Sequence, residues 1–475
     1  MKRTLLVAAC SLAAACAGLP GEGARVPVTA IVGATVVHPS ADAAHAAFPD
    51  ATVILDGGTI RAVGPRDSTA VPASARVIDG RGKWLIPGLV DAHVHFFQSG
   101  NLYTRPDVAD FNAWMPYAKE VARNQARLPA TFKAWLASGV TSVVDIGGPM
   151  WNFEVREAAA KSDTAPRVHV AGPLISMVAR PQLDLGDPPI IRISTPEEAR
   201  ALVRRELARK PDYIKVWYIH REGDDLAAQE AIVRATAEAA HQAGVRLAVH
   251  ATELVVAKSA LRAGADYLVH SVDDAPLDDE FLALARRNHA LYCPTLFVIM
   301  GYRYALSNTW KATEAERRYA DPEILAAMHD LDRIPKAMIP ERVAKLMANP
   351  PKVEPSRIAF ENLMKVRDAG IPIAMGTDAG NIGTLHGPSV FREMELMAQA
   401  GLTPLEVLRS ATVGGAIAMG MGGEIGEIEP GRRADLVLLD ADPLADVRNL
   451  ERVDRVVRAG RVLAPGQLMA SIRTP

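Results

Sequence analysis

Two histidines separated by one valine, His93 and His95 in "PGLVDAHVHFFQSG", raise the first chemical question. In an extended strand side chains alternate faces, so both imidazoles point one way and Val94 the other. Two imidazoles a few ångströms apart can grip one metal ion. Polar residues where a strand runs into a loop would look the same, so the pair needs further residues beside it. They are present. "DYIKVWY" carries Lys215 inside an otherwise apolar run, "RLAVHATE" reaches His250, "DYLVHSV" reaches His270, and "PIAMGTDAG" reaches Asp378. A lone strand-end histidine is more often a hydrogen-bonded rim residue than a ligand, and Asp378 alone would serve to cap a turn. An unpaired ammonium among apolar neighbours is harder to dismiss, because its desolvation is costly. Four histidines, an aspartate and a lysine at corresponding strand positions point to one shared rim.

The elements that must position them alternate along the chain. Apolar β-type runs fall at Leu85–His95, Val140–Gly147, Val168–Ile175, Tyr213–Tyr218, Leu247–His250, Tyr267–Val272, Leu291–Val298 and Ile371–Thr377. Helical patterns lie between most of them. "STPEEARALVRRELARK" offers Thr195 as N-cap, Pro196 in the first turn and Glu198 to close a capping box; Thr403, Pro404 and Glu406 repeat the device. "LAAQEAIVRATAEAAHQAG" has helical periodicity and stops at Gly244. The count predicts a distorted (β/α)8 TIM barrel, whose active site lies at the C-terminal strand ends. A doubly wound sheet competes, but no Gly-rich dinucleotide fingerprint follows any strand. Both chain ends read as short strands with Gly-rich turns, which predicts a small β-sandwich built from the two termini. The expected boundaries are 1–16 for a signal region, 25–84 and 424–475 for the sandwich, and 85–423 for the barrel.

The order His-x-His, Lys, His, His, Asp on successive strands resembles the amidohydrolase superfamily. The motifs "PGLVDAHVH", "IKVW", "VHATE", "ALRAGADYLVHSVDD", "GTDAG" and "GRRADLVLLDADPL" look like its imidazolonepropionase-like branch, which includes Xaa-Pro dipeptidases. The resemblance implies two divalent metal ions, with Lys215 carboxylated by CO2 to a bridging carbamate. His93, His95 and Asp378 would hold the more buried ion, and His250 and His270 the second. Imidazole plus hard oxygen donors suit Zn²⁺, with Mn²⁺, Co²⁺ or Fe²⁺ as alternatives. Asp378 would be the catalytic acid–base for hydrolysis of an amide by metal-activated hydroxide. The expected substrate is a dipeptide of Xaa-Pro type or an N-acyl amino acid. Glu253, in "HATE", keeps a deaminase or cyclic-amide hydrolase open, although single-metal deaminases do not need Lys215; its plainer role is in the first turn of a helix. A non-catalytic exported binding protein on the same scaffold is the reading from another class. Long segments follow three strands, Phe96–Asn124, Ser176–Thr195 and Met300–Pro355. They are expected to set specificity, and helical stretches near Glu314–Tyr319 and Glu341–Met347 to cover the site. Tyr218, His220, Arg221, Arg180 and Arg303 are the candidate carboxylate-binding residues.

The bulk composition fits this reading. The 475 residues are 49% hydrophobic with a formal net charge of −2, which gives no reason to expect nucleic acid. Only Cys10, Cys16 and Cys293 are cysteines, so no disulfide framework exists. Lys2 and Arg3 precede an apolar run, Leu5–Ala15, in a secretory pattern too short to remain as a spanning helix. "LAAAC" resembles a bacterial lipoprotein box with Cys16 as the lipidated residue, although a leucine is preferred where Ala13 stands; cleavage near Ala17 is the alternative. The expectation is an exported homo-oligomer, periplasmic or anchored to the outer membrane by that lipid alone, acting on a small molecule.

Overall fold

Gly88 divides the chain's two sheet systems. A Cβ at this position would stand 2.1 Å from Thr141 Oγ1, so a glycine is what lets the backbone pass. The run expected as one strand, Leu85–His95, is therefore two. The computed structural model describes residues 27–473; the signal-like segment, with Cys16, lies outside the described residues.

Before the glycine come β1 (Thr29–Val37), β2 (Ala47–Asp56), β3 (Thr59–Pro65), β4 (Arg76–Asp79) and β5 (Trp84–Pro87). After it come the parallel strands β6 (Leu89–Val94), β7 (Val140–Asp145), β8 (Arg167–Val170), β9 (Leu174–Ser176), β10 (Ile190–Arg192), β11 (Tyr213–Trp217), β12 (Arg246–His250), β13 (Tyr267–Val269) and β14 (Leu291–Cys293). The chain ends with β15 (Leu436–Leu439), β16 (Val453–Arg458) and β17 (Arg461–Leu463). The first five and last three form one sandwich-like sheet in the order β17-β16-β15-β5-β1-β2-β3, with β4 on β1. Its seam is the antiparallel pairing of β15 with β5, which joins the two ends of the chain. Ile31, Val36, Val53, Leu85, Leu436 and Val457 fill its core.

The parallel strands form a distorted TIM barrel in two arcs, β6-β7-β8 and β10-β9-β11-β12-β13-β14. A bridge between Ala171 and Tyr213 joins the arcs on one side. On the other, the extended segment 371–379 stands in the eighth position. It bridges Tyr292 through Ile373 and Val94 through Ala379, and His93 accepts a 2.7 Å hydrogen bond from the Asp378 N–H. Alternation sorts the side chains: Tyr213, Ala248, Tyr267 and Val269 pack inside, while Ile214, Val216, Leu247 and Leu268 face the surrounding helices.

The helix signals hold with one change. Thr195 caps Pro196–Leu207, but the Glu198 carboxylate turns to the N–H of Ser194, at 2.7 Å, so the expected box is not closed. Thr403 and Glu406 close theirs. Gly244, at φ +72°, follows the helix Leu226–Gln242. The expected run Leu291–Val298 is cut to Leu291–Cys293, because the backbone turns at Thr295 (φ +42°) and Val298 opens a helix.

Glu206 is a cost borne by this scaffold. It is fully buried against Gly172, and neither carboxylate oxygen has a hydrogen-bond partner. Burial holds its carboxyl well above the ordinary glutamate range. The folded chain therefore holds a proton that the unfolded chain sheds above about pH 4.3, and stability falls as pH rises from there. Glu206→Met is expected to stabilise by about 1–3 kcal/mol near neutral pH and by less in acid. Urea unfolding near pH 8 and near pH 4 measures both; equal gains at the two values would contradict the buried-acid account.

Candidate metal centre

A bulge places the first two histidines. Val90 and Ala92 lie inside the barrel, so strict alternation would send His93 outward. The β6–β7 register shifts between Asp91 and Val94, and Val94 then faces the outer core. One extra residue reverses the parity, and His93 and His95 share the interior face. Their Nε2 atoms are 3.3 Å apart. Asp378 Oδ1 lies 3.3 Å from His93 Nε2 and 3.1 Å from His95 Nε2. A tetrahedral ion with ligands at about 2.0–2.1 Å has ligand–ligand edges of roughly 3.3–3.4 Å, so this triangle has the size of one tetrahedral face. His270 closes in from the other side, with ring centroids 4.8 Å from His93 and 4.4 Å from His250. Single donor atoms of His93, His270 and Asp378 all lie within 4.8 Å of one another.

Lys215 lies at the centre of the β11 run Tyr213, Lys215, Trp217. It is 1% exposed and its Nζ has no hydrogen-bond partner; Asp378 Oδ1 likewise has none. Burial brings the lysine down to about 7. Burial, and then the Lys215 charge or a neighbouring imidazole, push His93, His250 and His270 well below the usual histidine range. Neutral imidazoles are the form that binds metal. Buried, unpartnered nitrogen and oxygen donors arranged this way fit divalent ions.

The supporting contacts are hydrogen bonds from the ligands' far sides. His95 Nδ1 donates to Gly147 O (2.7 Å), and His270 Nδ1 lies 2.7 Å from Thr295 Oγ1. Asp145 accepts from the N–H groups of Phe96 and Gly147, which fixes the carbonyl that holds His95. Asp91 Oδ1 accepts from the N–H groups of His93 and Thr377 and its Oδ2 from Thr377 Oγ1, tying β6 to the segment that carries Asp378. His270, Thr295 and Asp378 have φ of +78°, +42° and +60°. Such backbone conformations cluster where a site is held by its surroundings.

Of the expected ligands, His93, His95, Lys215, His250, His270 and Asp378 converge here. The expected substrate residues mostly do not. Tyr218 is the outward residue after Trp217 and hydrogen-bonds Ser259 at 3.0 Å. His220 hydrogen-bonds Gln229, and the Arg221 N–H bonds the Asp224 carboxylate in a surface turn. None of the three lines the cavity above the metal ligands. Arg180 does not line it either; its guanidinium lies over the Trp217 ring at 4.7 Å and 3.3 Å from Asp107. Arg303 does line the cavity. Glu253 is the residue ahead of the helix Leu254–Ala263 and makes no cap bond. The 300–355 insertion contributes Met300, Tyr302, Arg303 and Glu354 to the cavity wall; the helices Glu314–Tyr319 and Glu341–Ala348 take no part in it.

Arg105 is a charged cavity residue that the sequence did not reveal. It stands in the loop after β6, pairs with Asp107 through two 2.8 Å hydrogen bonds, and donates to Asn381 Oδ1 (2.9 Å) and Tyr302 Oη (3.2 Å). Nothing periodic marks it; only an arginine in a long loop after the first ligand strand hints at it.

A barrel rim with these donors fits a metal-dependent hydrolase. The chain belongs to the amidohydrolase family, whose model matches residues 84–463. It is 27% identical over 418 residues to ochratoxinase of Aspergillus niger, covering 80% of this chain and 76% of that enzyme. It is 24% identical over 444 residues to imidazolonepropionase of Geobacillus kaustophilus, covering 87% and 89%. A Bifidobacterium longum structure assigned as a prolidase superposes with a TM-score of 0.68 at 26% identity, covering 94% of this chain and 99% of that one. The protein is thus an enzyme of the class that hydrolyses carbon–nitrogen bonds.

Proposed function

We propose that the protein hydrolyses a small amide whose leaving group is an amino acid with a free carboxylate: an Xaa-Pro-type dipeptide or an N-acyl amino acid. The observation that carries this reading is Arg105 in the wall of the ligand cavity. Arg105 and Arg180 share the single Asp107 carboxylate, so these three groups together carry one positive charge. Arg303 adds a second cation at the rim. The cavity of about 380 Å³ lies within the roughly 300–1,000 Å³ usual for small-molecule sites. The prolidase assignment of the Bifidobacterium longum protein supports the dipeptide option.

In this reading His93, His95 and Asp378 would hold one divalent ion and His250 and His270 a second, with Lys215, as its carbamate, available to both. Zn²⁺ suits the donors, and such ions would supply Lewis acidity at the scissile carbonyl when bound. Carboxylation answers an electrostatic problem: an ammonium at Lys215 Nζ would repel cations, whereas a carbamate presents two anionic oxygens. Asp378 keeps Oδ1 towards the histidines, and its Oδ2 takes the proton of the attacking water and returns it to the leaving nitrogen. With Nε and one Nη2 N–H held by Asp107 and Nη1 by Asn381 and Tyr302, Arg105 would offer its charge and its remaining Nη2 N–H to the leaving group's carboxylate and so align the amide.

A charged hydrogen bond contributes about 1.5–3 kcal/mol, or roughly 10–150-fold. A dipeptide should therefore exceed its C-terminal amide in kcat/KM by that factor. Arg105→Ala should erase the difference by raising KM for the free acid. Equal kcat/KM for acid and amide in the wild type would sink the clamp and redirect the search to neutral or cyclic amides.

A further inference from the structure

Thr295, the residue that holds His270 Nδ1, sits at φ +42°, a conformation rare for a β-branched residue. Such a residue stays in place only if its flanks are fixed. On one side Pro294 O accepts two 2.9 Å hydrogen bonds, from the N–H and the hydroxyl of Ser271. On the other side the clamp comes from a helix remote in sequence, Ser389–Ala400. Glu393 is fully buried, and its two oxygens accept from the N–H of Leu296 (2.8 Å) and the N–H of Phe297 (2.9 Å). A carboxyl group presents two oxygens side by side to consecutive donors, although burial raises it to about 8 against the pull of these two bonds; a glutamine would turn its NH2 towards one of them.

We propose that Glu393 is a positioning residue for the metal centre, holding the turn 295–297 so that Thr295 orients His270 with Nε2 free to bind. This deepens the metal reading above and rests on it. Glu393 touches neither substrate nor ion. It acts through Thr295, so the two residues must be energetically coupled, whereas two unrelated structural contributions would add independently.

The test is a double-mutant cycle read by Zn²⁺ affinity, measured with a chromogenic chelator on the full chain. Loss of an outer contact to a ligand costs about 10–100-fold in metal affinity. Thr295→Val and Glu393→Gln should each weaken the weaker-bound ion by that order. The double variant should be no worse than the poorer single one. Thr295→Ser, which keeps the hydroxyl, should restore near-wild-type affinity and guards against a loss caused only by misfolding. Multiplicative losses in the double variant, or an unaltered Glu393→Gln, would overturn the proposal. Wild-type protein that binds no Zn²⁺ would instead overturn the metal reading, and this inference with it.

Discussion

Asp378→Asn is expected to lower kcat by about a hundredfold or more, the scale of general-base catalysis. Asparagine has nearly the same shape. Its carbonyl oxygen can keep the place of Oδ1, between the Nε2 atoms of His93 and His95 at 3.3 and 3.1 Å. Its amide nitrogen cannot accept the proton that Oδ2 takes in the proposed reaction. The substitution also leaves the backbone contacts in place: the Asp378 N–H still donates to His93 O, and its carbonyl still accepts from Asn381. Metal content and kcat must be measured on the same sample, because the residue is also a proposed ligand. A fall in kcat with metal retained assigns the proton role. Near-normal turnover in a metal-replete sample would remove Asp378 from it.

The candidate ligands were legible in the sequence because each ends or interrupts an apolar run, and strand parity carries information only where one face is buried. The bulge that turns His93 inward was not legible, since it depends on β7 beside it. Tyr218 was misassigned against the same parity rule: with Lys215 and Trp217 inside the barrel, the next residue must face out. Gly88 read as part of a strand because its role is set by Thr141, more than fifty residues along the chain. Arg105 and Asp107 lie in a loop without periodicity, where no pattern tells a cavity residue from a surface one. Asp91, Asp145 and Glu393 are acids whose sequence context reads as strand or helix. Their function arises from backbone N–H groups brought to them by other segments, and single-strand patterns do not encode those meetings.

Replacing Lys215 should move activity and stability in opposite directions. Its Nζ is a buried nitrogen without a protein hydrogen-bond partner, brought down to about 7 by desolvation. The unfolded chain keeps a lysine protonated up to about pH 10.4. Between these values the folded state binds fewer protons, so metal-free stability should rise with pH across that window. The penalty at neutral pH and below is on the order of a few kcal/mol. Metal-stripped Lys215→Met should therefore unfold at a higher temperature than metal-stripped wild type near pH 7, and its melting point should lack the climb above that pH. With metal supplied the order reverses. Lys215→Ala should lose ion stoichiometry, and lose more activity than the roughly 10–100-fold that an outer-sphere partner costs. Acetate or formate entering the vacated space should restore part of both, because a free carboxylate can stand where the carbamate oxygens would. A Lys215→Ala protein with full metal content and wild-type turnover would eliminate the bridging carbamate. A Lys215→Met protein less stable than wild type when both are stripped would show that the lysine is solvated or paired, and the electrostatic reason for its carboxylation would go with it.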